Sequence, residues 1–272
     1  MSLSSGSKYS NKMVAALGYH DVTDSPQESG FQRKGAVPYK LGWSRFTEHL
    51  DRIAAGSLAP ALVSSIDFSQ PGHHLLLTFD DGGKSALAIG EELCRRNWRG
   101  HFFISTGLIG RRTFLTIEEI RQLRAAGHII GSHSHSHPDI YRELRWEQMM
   151  VEWTQSADIL AQILGEPCTA AAVPGGEISR QVLKSAAAAG LRYVFTSDPC
   201  PEPRIVGGAW VLGRFCVKAS TAADEIADLS RFRRWRSKLL VRRLKQLAGR
   251  SLPPLYRFYV GYSTREWQRS GA

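Results

Sequence analysis

The sequence predicts an α/β protein built on a parallel sheet or a β/α barrel. Two observations carry that expectation. Short apolar, partly β-branched runs alternate with segments of helical period along most of the chain. Two of those runs, HLLLTF and HIIGS, pass directly into residues with acid–base or metal-ligating chemistry, the carboxylate pair at 80–81 and the stretch HSHSH at 133–137. A β/α barrel gathers its functional groups at such C-terminal strand ends. No run of eighteen apolar residues occurs, so a membrane-spanning helix is not expected.

Taken in order, the expected strands are 13–19 (MVAALGY), 74–79 (HLLLTF), 101–105 (HFFIS), 128–132 (HIIGS), 168–173 (CTAAAV), 191–196 (RYVFTS) and 209–215 (AWVLGRF). Helices are expected at 43–56, 84–97, 116–126, 143–164, 177–189 and 221–229. In the first, Phe46, Leu50 and Ile53 keep helical spacing and Gly56 ends the run. Residues 20–42 read as a long polar loop, and loops of that length in a compact domain are often functional. No linker or composition break marks a second domain. The expected organisation is a flexible N-terminus over 1–12, one barrel over 13–230, and a basic amphipathic helix and tail over 231–272 packed on it.

With 272 residues, 43% hydrophobic and 22% charged, the chain is long enough for a sizeable core and ordinary in composition. Four widely spaced cysteines form no CxxC and predict reduced thiols rather than a disulfide framework. The N-terminus is polar with no plausible cleavage site, so a cytoplasmic protein is expected. The net charge of +10 is concentrated: RFRRWRSKLLVRRLKQLAGR, residues 231–250, holds nine Lys or Arg and no acid. Phe232, Trp235, Leu239, Leu240, Leu244 and Leu247 fall near one helical face. The bland reading packs that stripe on the barrel and solvates the basic face. Its rivals are peripheral contact with an anionic membrane surface, here the inner membrane, and contact with an acidic partner. Nucleic acid is not expected, because no zinc-finger spacing, helix-turn-helix or aromatic platform is present.

His133 and His137, four apart, can point the same way, whereas His135 joins them only if the segment stays extended. Two histidines and one carboxylate leave an open position, the pattern of a catalytic zinc site. The second carboxylate is then free to serve as a base. All nine histidines lie in the first 137 residues, so an amidohydrolase, which needs ligands on later strands, is excluded. No GxSxG elbow supports a serine triad.

TFDDG followed some fifty residues later by HSHSHP resembles the polysaccharide deacetylase family, the NodB-homology or carbohydrate esterase family 4 enzymes. The resemblance implies a distorted (β/α)7 barrel. It casts Asp80 as the catalytic base, Asp81, His133 and His137 as metal ligands, and the backbone N–H of Gly175, after Pro174 in AVPGG, as an oxyanion donor. It also implies one divalent transition metal, zinc first, with cobalt, nickel or iron(II) able to bind. Two features depart from the family. Ala172 stands where an arginine orients the base, and VLGRFCVK offers no histidine where the family supplies an acid. Arg214 is the candidate for the orienting role. His20 in YHDV, with Asp21 to hold its imidazole, is the candidate acid, as in a subgroup associated with exopolysaccharide biosynthesis. The implied activity is removal of an N-acetyl group from a hexosamine in a polysaccharide or its lipid-linked precursor. The alternatives are an inactive barrel that binds glycan or scaffolds a synthesis complex, and an amidase or O-deacetylase acting on another substrate. Trp43 and Tyr39 are aromatic residues able to stack on a sugar.

Overall fold

A computed structural model describes residues 12–176, 178–251 and 260–265, with side chains of 245–251 not described. The flexible segment expected over 1–12 therefore lies, but for its last residue, outside the described residues, as does most of the tail after 251.

Seven parallel strands close into a barrel: β1 (Lys12–Tyr19), β2 (Gly72–Phe79), β3 (His101–Ile104), β4 (Ile129–Ser132), β5 (Ala170–Ala172), β6 (Tyr193–Thr196) and β8 (Ala209–Cys216). They pair in that order, and β8 returns to β1 through Ala16↔Arg214, Leu17↔Phe215 and Gly18↔Cys216. The ring is uneven. β1 and β2 share eight register pairs, from Lys12↔Gly72 to Tyr19↔Phe79, whereas β4 and β5 meet only at Ser132↔Ala171. This is the NodB-type barrel. One further strand, β7 (Arg204–Val206), pairs antiparallel with β8 across a turn in which Gly207 and Gly208 take φ of 62° and 93°. Two adjacent left-handed residues suit a tight hairpin, and glycine adopts them without steric cost.

Strand alternation sorts side chains into two layers. Val14, Ala16, Leu76, Phe103, Ala170, Ala172, Phe195 and Leu212 fill the barrel interior. Ala15, Leu17, Tyr19, Leu75, Leu77 and Phe79 face outward, onto the helices. The outer ring comprises α1 (Trp43–Ala54), α2 (Ala86–Arg95), α3 (Ile117–Ala125), α4 (Trp146–Leu164), α5 (Arg180–Ala188) and α6 (Ala223–Ser230). Three of them have a clear local reason to start or stop. Thr116 and Glu119 form a capping box on α3, Ser179 caps α5, and α4 ends at Gly165 with φ 71°. Val63, Ile66 and Phe68 join the interior cluster at the N-terminal end of the strands, where Phe68 stacks on Trp210 with centroids 4.6 Å apart. With that end closed, only the C-terminal end is available for a site.

A seventh helix, α7 (Trp235–Ser251), packs on the barrel by only part of the expected stripe. Trp235 is buried, while Leu240 and Leu244 are 59% and 58% exposed. The face turned inward carries Lys238, which pairs with Glu225, and Arg242, which reaches Asp198 and the Gly176 carbonyl. Polar partners on the barrel rim select that face. Gly35 N–H donates to Ser263 O at 2.7 Å, so residues 260–265 lean on the 20–42 loop.

Candidate active site

Alternation along β2 turns Leu76, Thr78 and then Asp80 inward, and alternation along β8 does the same for Leu212 and Arg214. Gly18 of β1, between these strands, presents no side chain to block the path; a Cβ there would lie 3.5 Å from Thr78 Oγ1 and 3.7 Å from Arg214 Cζ. Arg214, with no solvent exposure, therefore crosses to Asp80 and grips it at both oxygens, Nη1–Oδ1 2.6 Å and Nη2–Oδ2 2.8 Å. It also donates to Thr78 Oγ1 and Thr196 O. A two-toothed guanidinium–carboxylate pair fixes orientation as well as charge. Ala172, where the resemblance called for an arginine, lies in the interior cluster, and Arg214 reaches Asp80 from β8 instead.

The chain then turns sharply. Asp81 and Gly82 take φ of 74° and 78°, which sends the Asp81 carboxylate toward β4. Its Oδ1 lies 3.3 Å from His133 Nε2 and 3.5 Å from His137 Nε2. The histidine segment is not extended. Ser134 and His137 have φ of 63° and 55°, so His135 leaves the cluster and bonds Thr106 Oγ1 at 3.0 Å. The intervening serines stabilise this turn. Ser134 Oγ accepts from the His137 N–H, and Ser132 Oγ from the Ser134 N–H. Glu152 of α4 accepts from the N–H groups of His135 and Ser136, at 2.9 and 2.8 Å, and from the Ser136 hydroxyl. Nothing in the sequence near the histidines points to Glu152, because it acts across sixteen or seventeen residues from another element.

Asp81, His133 and His137 each offer one ligand atom, all within 4.8 Å of one another. His133 Nδ1 lies 2.9 Å from the Ala172 carbonyl, which requires the proton on Nδ1 and frees Nε2 as a donor to a metal. The buried His137 Nδ1 has no hydrogen-bond partner. This donor set fits a divalent transition metal.

Burial pushes the Asp80 carboxyl up, but Arg214, His133 and His20 outweigh it, and its pKa lies below the ordinary carboxylate value. Asp81 is held far lower: burial is overcome by the His133 hydrogen bond and by the charges of His20 and the two ligand histidines. The imidazoles diverge. Burial drives His137 down to about 3 despite Asp81, with His133 and Arg33 acting in the same direction. Burial acts likewise on His133, but that ring faces both carboxylates and its pKa is raised.

The site floors a cavity of about 530 Å³. Phe31, Arg33 and Tyr39 of the 20–42 loop form one wall; Phe31 lies 4.7 Å, centroid to centroid, from His137. Lys238, Val241 and Arg242 of α7 form another. His20 lines the cavity, 4.8 Å from the Tyr39 ring, and its buried Nδ1 has no hydrogen-bond partner. Asp21 does not hold it. Adjacent residues leaving a strand point opposite ways, and Asp21 accepts from Ser29 and Ser85 Oγ instead. It thereby ties the 20–42 loop to the start of α2. Burial raises the Asp21 pKa, partly opposed by Ser29 and Lys40. Gly175, at φ 60°, lines the cavity; Pro174 is buried and is not among the lining residues. Trp43 packs against Phe46 at the start of α1, 5.9 Å between centroids, and is likewise absent from the lining.

The family model described as polysaccharide deacetylase matches the chain. Residues 68–194 are the part it covers. That span holds Asp80, Asp81, His133 and His137; His20 and Arg214 lie outside it. No curated protein matches the sequence. Among solved structures, the chain is similar to a polysaccharide deacetylase from Bacillus cereus, at 17% identity and TM-score 0.67, over 80% of this chain and 69% of that one. It is similar also to IcaB from Ammonifex degensii, at 20% identity and TM-score 0.66, over 80% and 97% of the two chains. The Streptococcus pyogenes deacetylase PplD, solved with acetate, aligns at 19% identity and TM-score 0.64, over 79% and 96%. At these identities the structural likeness speaks to the fold.

Proposed function

We propose that this protein is a metal-dependent polysaccharide deacetylase that hydrolyses the N-acetyl group of a hexosamine, in a glycan or its lipid-linked precursor, releasing acetate. We place it with the exopolysaccharide subgroup that carries its acid in an N-terminal YHD motif. One observation carries the reading: Asp80, locked by Arg214, stands beside the Asp81–His133–His137 cluster on the floor of an open cavity. A binding protein needs neither a clamped, ionised carboxylate nor a three-donor cluster with room for substrate.

A divalent metal, zinc first among zinc, cobalt, nickel and iron(II), would be held by Asp81, His133 and His137 and supplies Lewis acidity toward the acetamide carbonyl and toward water. Asp80 takes the proton from the attacking water. Each carboxylate oxygen has two lone pairs and Arg214 engages one on each, so a basic site remains. The Gly175 N–H is the proposed donor to the developing oxyanion. His20, uncommitted at Nδ1, carries the proton that passes to the leaving nitrogen as the C–N bond breaks. Acetate and the free amine result. Phe31, Arg33 and Tyr39 of the 20–42 loop wall the reaction on one side. In this reading the protein works in the cytoplasm, where its four unpaired cysteines stay reduced.

The test couples elemental analysis to acetate release from N-acetylhexosamine oligomers. Wild type and Asp80→Asn should each carry about one equivalent of metal, and His133→Ala should lose it. Asp80→Asn and His133→Ala should release no acetate, and His20→Ala should be slower by about 10²–10⁴-fold. Retained activity in Asp80→Asn would remove the base. A metal-loaded wild type that cleaves no acetylated sugar would favour the glycan-binding barrel.

A further inference from the structure

The face of α7 turned away from the barrel remains to be explained. Helical spacing puts Arg236, Leu240, Arg243 and Leu244 together, opposite the inward Trp235, Lys238 and Arg242. Leu240 and Leu244 are 59% and 58% exposed, and Val241, at the edge of the patch, is 49% exposed. Large aliphatic side chains at such exposure, side by side and flanked by arginines, are not accounted for by packing among the described residues. Lys238 and Arg242 spend their charge on Glu225 and Asp198. Arg236 and Arg243 have no acid within salt-bridge distance among the described residues.

We infer that this face of α7 docks on an anionic lipid bilayer, lying in the plane of the interface with Leu240 and Leu244 inserted and Arg236 and Arg243 on the headgroups. Leucines flanked by cations on one face of a helix suit that setting. Charge decides against the other occupant, a second copy of this chain. Residues 231–250 contain nine Lys or Arg and no acid, so an isologous contact through this face would set arginines against arginines. An anionic surface attracts the same groups. No helix among the described residues is long and apolar enough to cross a membrane, so the contact is peripheral.

The docking surface adjoins the cavity. Val241 belongs to both, lining the cavity while standing half exposed beside Leu240. A docked α7 therefore holds the cavity mouth close to the bilayer, within reach of a glycan still attached to lipid. That last consequence rests on the deacetylase reading; the docking itself does not.

The experiment is cosedimentation of the full chain with vesicles of phosphatidylcholine alone or mixed with phosphatidylglycerol, at low and high salt, with analytical ultracentrifugation of the free protein. Binding is expected to the anionic vesicles only, weakening as salt rises. Leu240→Ser with Leu244→Ser, and separately Arg236→Glu with Arg243→Glu, should each weaken it by about tenfold or more. None of the four residues lines the cavity, so metal content should match wild type and report an intact barrel. Equal binding to neutral vesicles, no binding, or wild-type binding by both double variants would overturn the inference. So would a wild-type dimer that the leucine pair dissociates, since the second copy would then own the face. A barrel without metal that still binds anionic vesicles would sink the deacetylase reading and leave the docking surface standing.

Discussion

Removing Arg214 tests the site where its logic is most exposed. In Arg214→Met the apolar volume is kept while both bonds to Asp80 are lost, together with those to Thr78 and Thr196. Asp80, only 6% exposed, is left with little solvation to replace the lost guanidinium. Breaking one side of such a buried pair costs about 3–5 kcal/mol. At roughly 2–4 °C per kcal/mol for a domain of this size, melting should fall by on the order of 10 °C. The electrostatic consequence separates a positioning role from a structural one. Arg214 is the largest influence opposing burial at Asp80, so without it burial drives the Asp80 pKa up. The proton then stays on the base to higher pH, and the acid limb of the kcat/KM profile should move upward, with roughly 10²-fold lost at the optimum. Arg214→Lys, a point charge without the fork, should fall between. Asp80→Asn combined with Arg214→Met should recover much of the melting temperature, as both charges are then gone, but none of the activity. An Arg214→Met enzyme with an unmoved acid limb and near-normal turnover would refute the assignment, whatever its stability.

Other predictions follow from single contacts. Glu152→Gln, which weakens the grip on the His135 and Ser136 amides, should lower metal affinity by about 10–100-fold in competition with a chelator while barely changing the fold. Gly83→Ala would set a Cβ 2.1 Å from Asp21 Oδ1, so it should destabilise by about 1–3 kcal/mol and raise amide exchange specifically in residues 20–42. His101, at the closed end of the barrel, accepts the Val63 N–H at Nε2 and has Nδ1 2.9 Å from the Leu77 carbonyl, so both nitrogens are committed to the neutral ring. Burial accordingly lowers its pKa to about 4. The unfolded chain binds this proton first, below about 6.5. The contribution of His101 to stability is therefore full above about 6.5 and is lost progressively as pH falls toward 4. Denaturant melts of His101→Asn should show a shallower decline over that window than wild type.

The parts of the fold that sequence predicts are those with their own local signal. All seven parallel strands are apolar runs, with helices between all but the last two, and each lies within about two residues of its expected position. The eighth, Arg204–Val206, is three residues long and largely exposed, so no apolar run marks it. The pair Gly207–Gly208 before AWVLGRF was its one cue, a two-residue hairpin turn. At the site, Asp80, Asp81, His133 and His137 are legible because motif and strand end coincide. Asp21 misleads, because adjacency in sequence reverses direction where the chain leaves a strand. Helix α7 misleads differently. Helical periodicity identifies an amphipathic helix but not which face the barrel prefers, and that choice was made by Glu225, Asp198 and the Gly176 carbonyl, contributed by other segments.

In the deacetylase reading proposed above, Arg214 takes the role of the arginine missing at 172, and a missing motif residue need not mean a missing function. An orienting cation must reach the base from inside the barrel, at the layer just above the packed core. Any strand whose inward register position falls on that layer can supply it, provided the strand between leaves the path open. Here β8 supplies the residue, with Leu212 below Arg214 in the same inward row, and Gly18 on β1 leaves the path to Asp80 clear. On β5 the inward residue Ala172 registers through Phe195 with Leu212, one inward step below Arg214, and its small side chain adds no second cation to a carboxylate already held at both oxygens. Two buried arginines around one Asp80 would leave one of them uncompensated, at a cost of several kcal/mol. The alanine on β5 and the arginine on β8 are thus two halves of one solution, and a chain with arginine at both positions should be less stable than either arrangement alone.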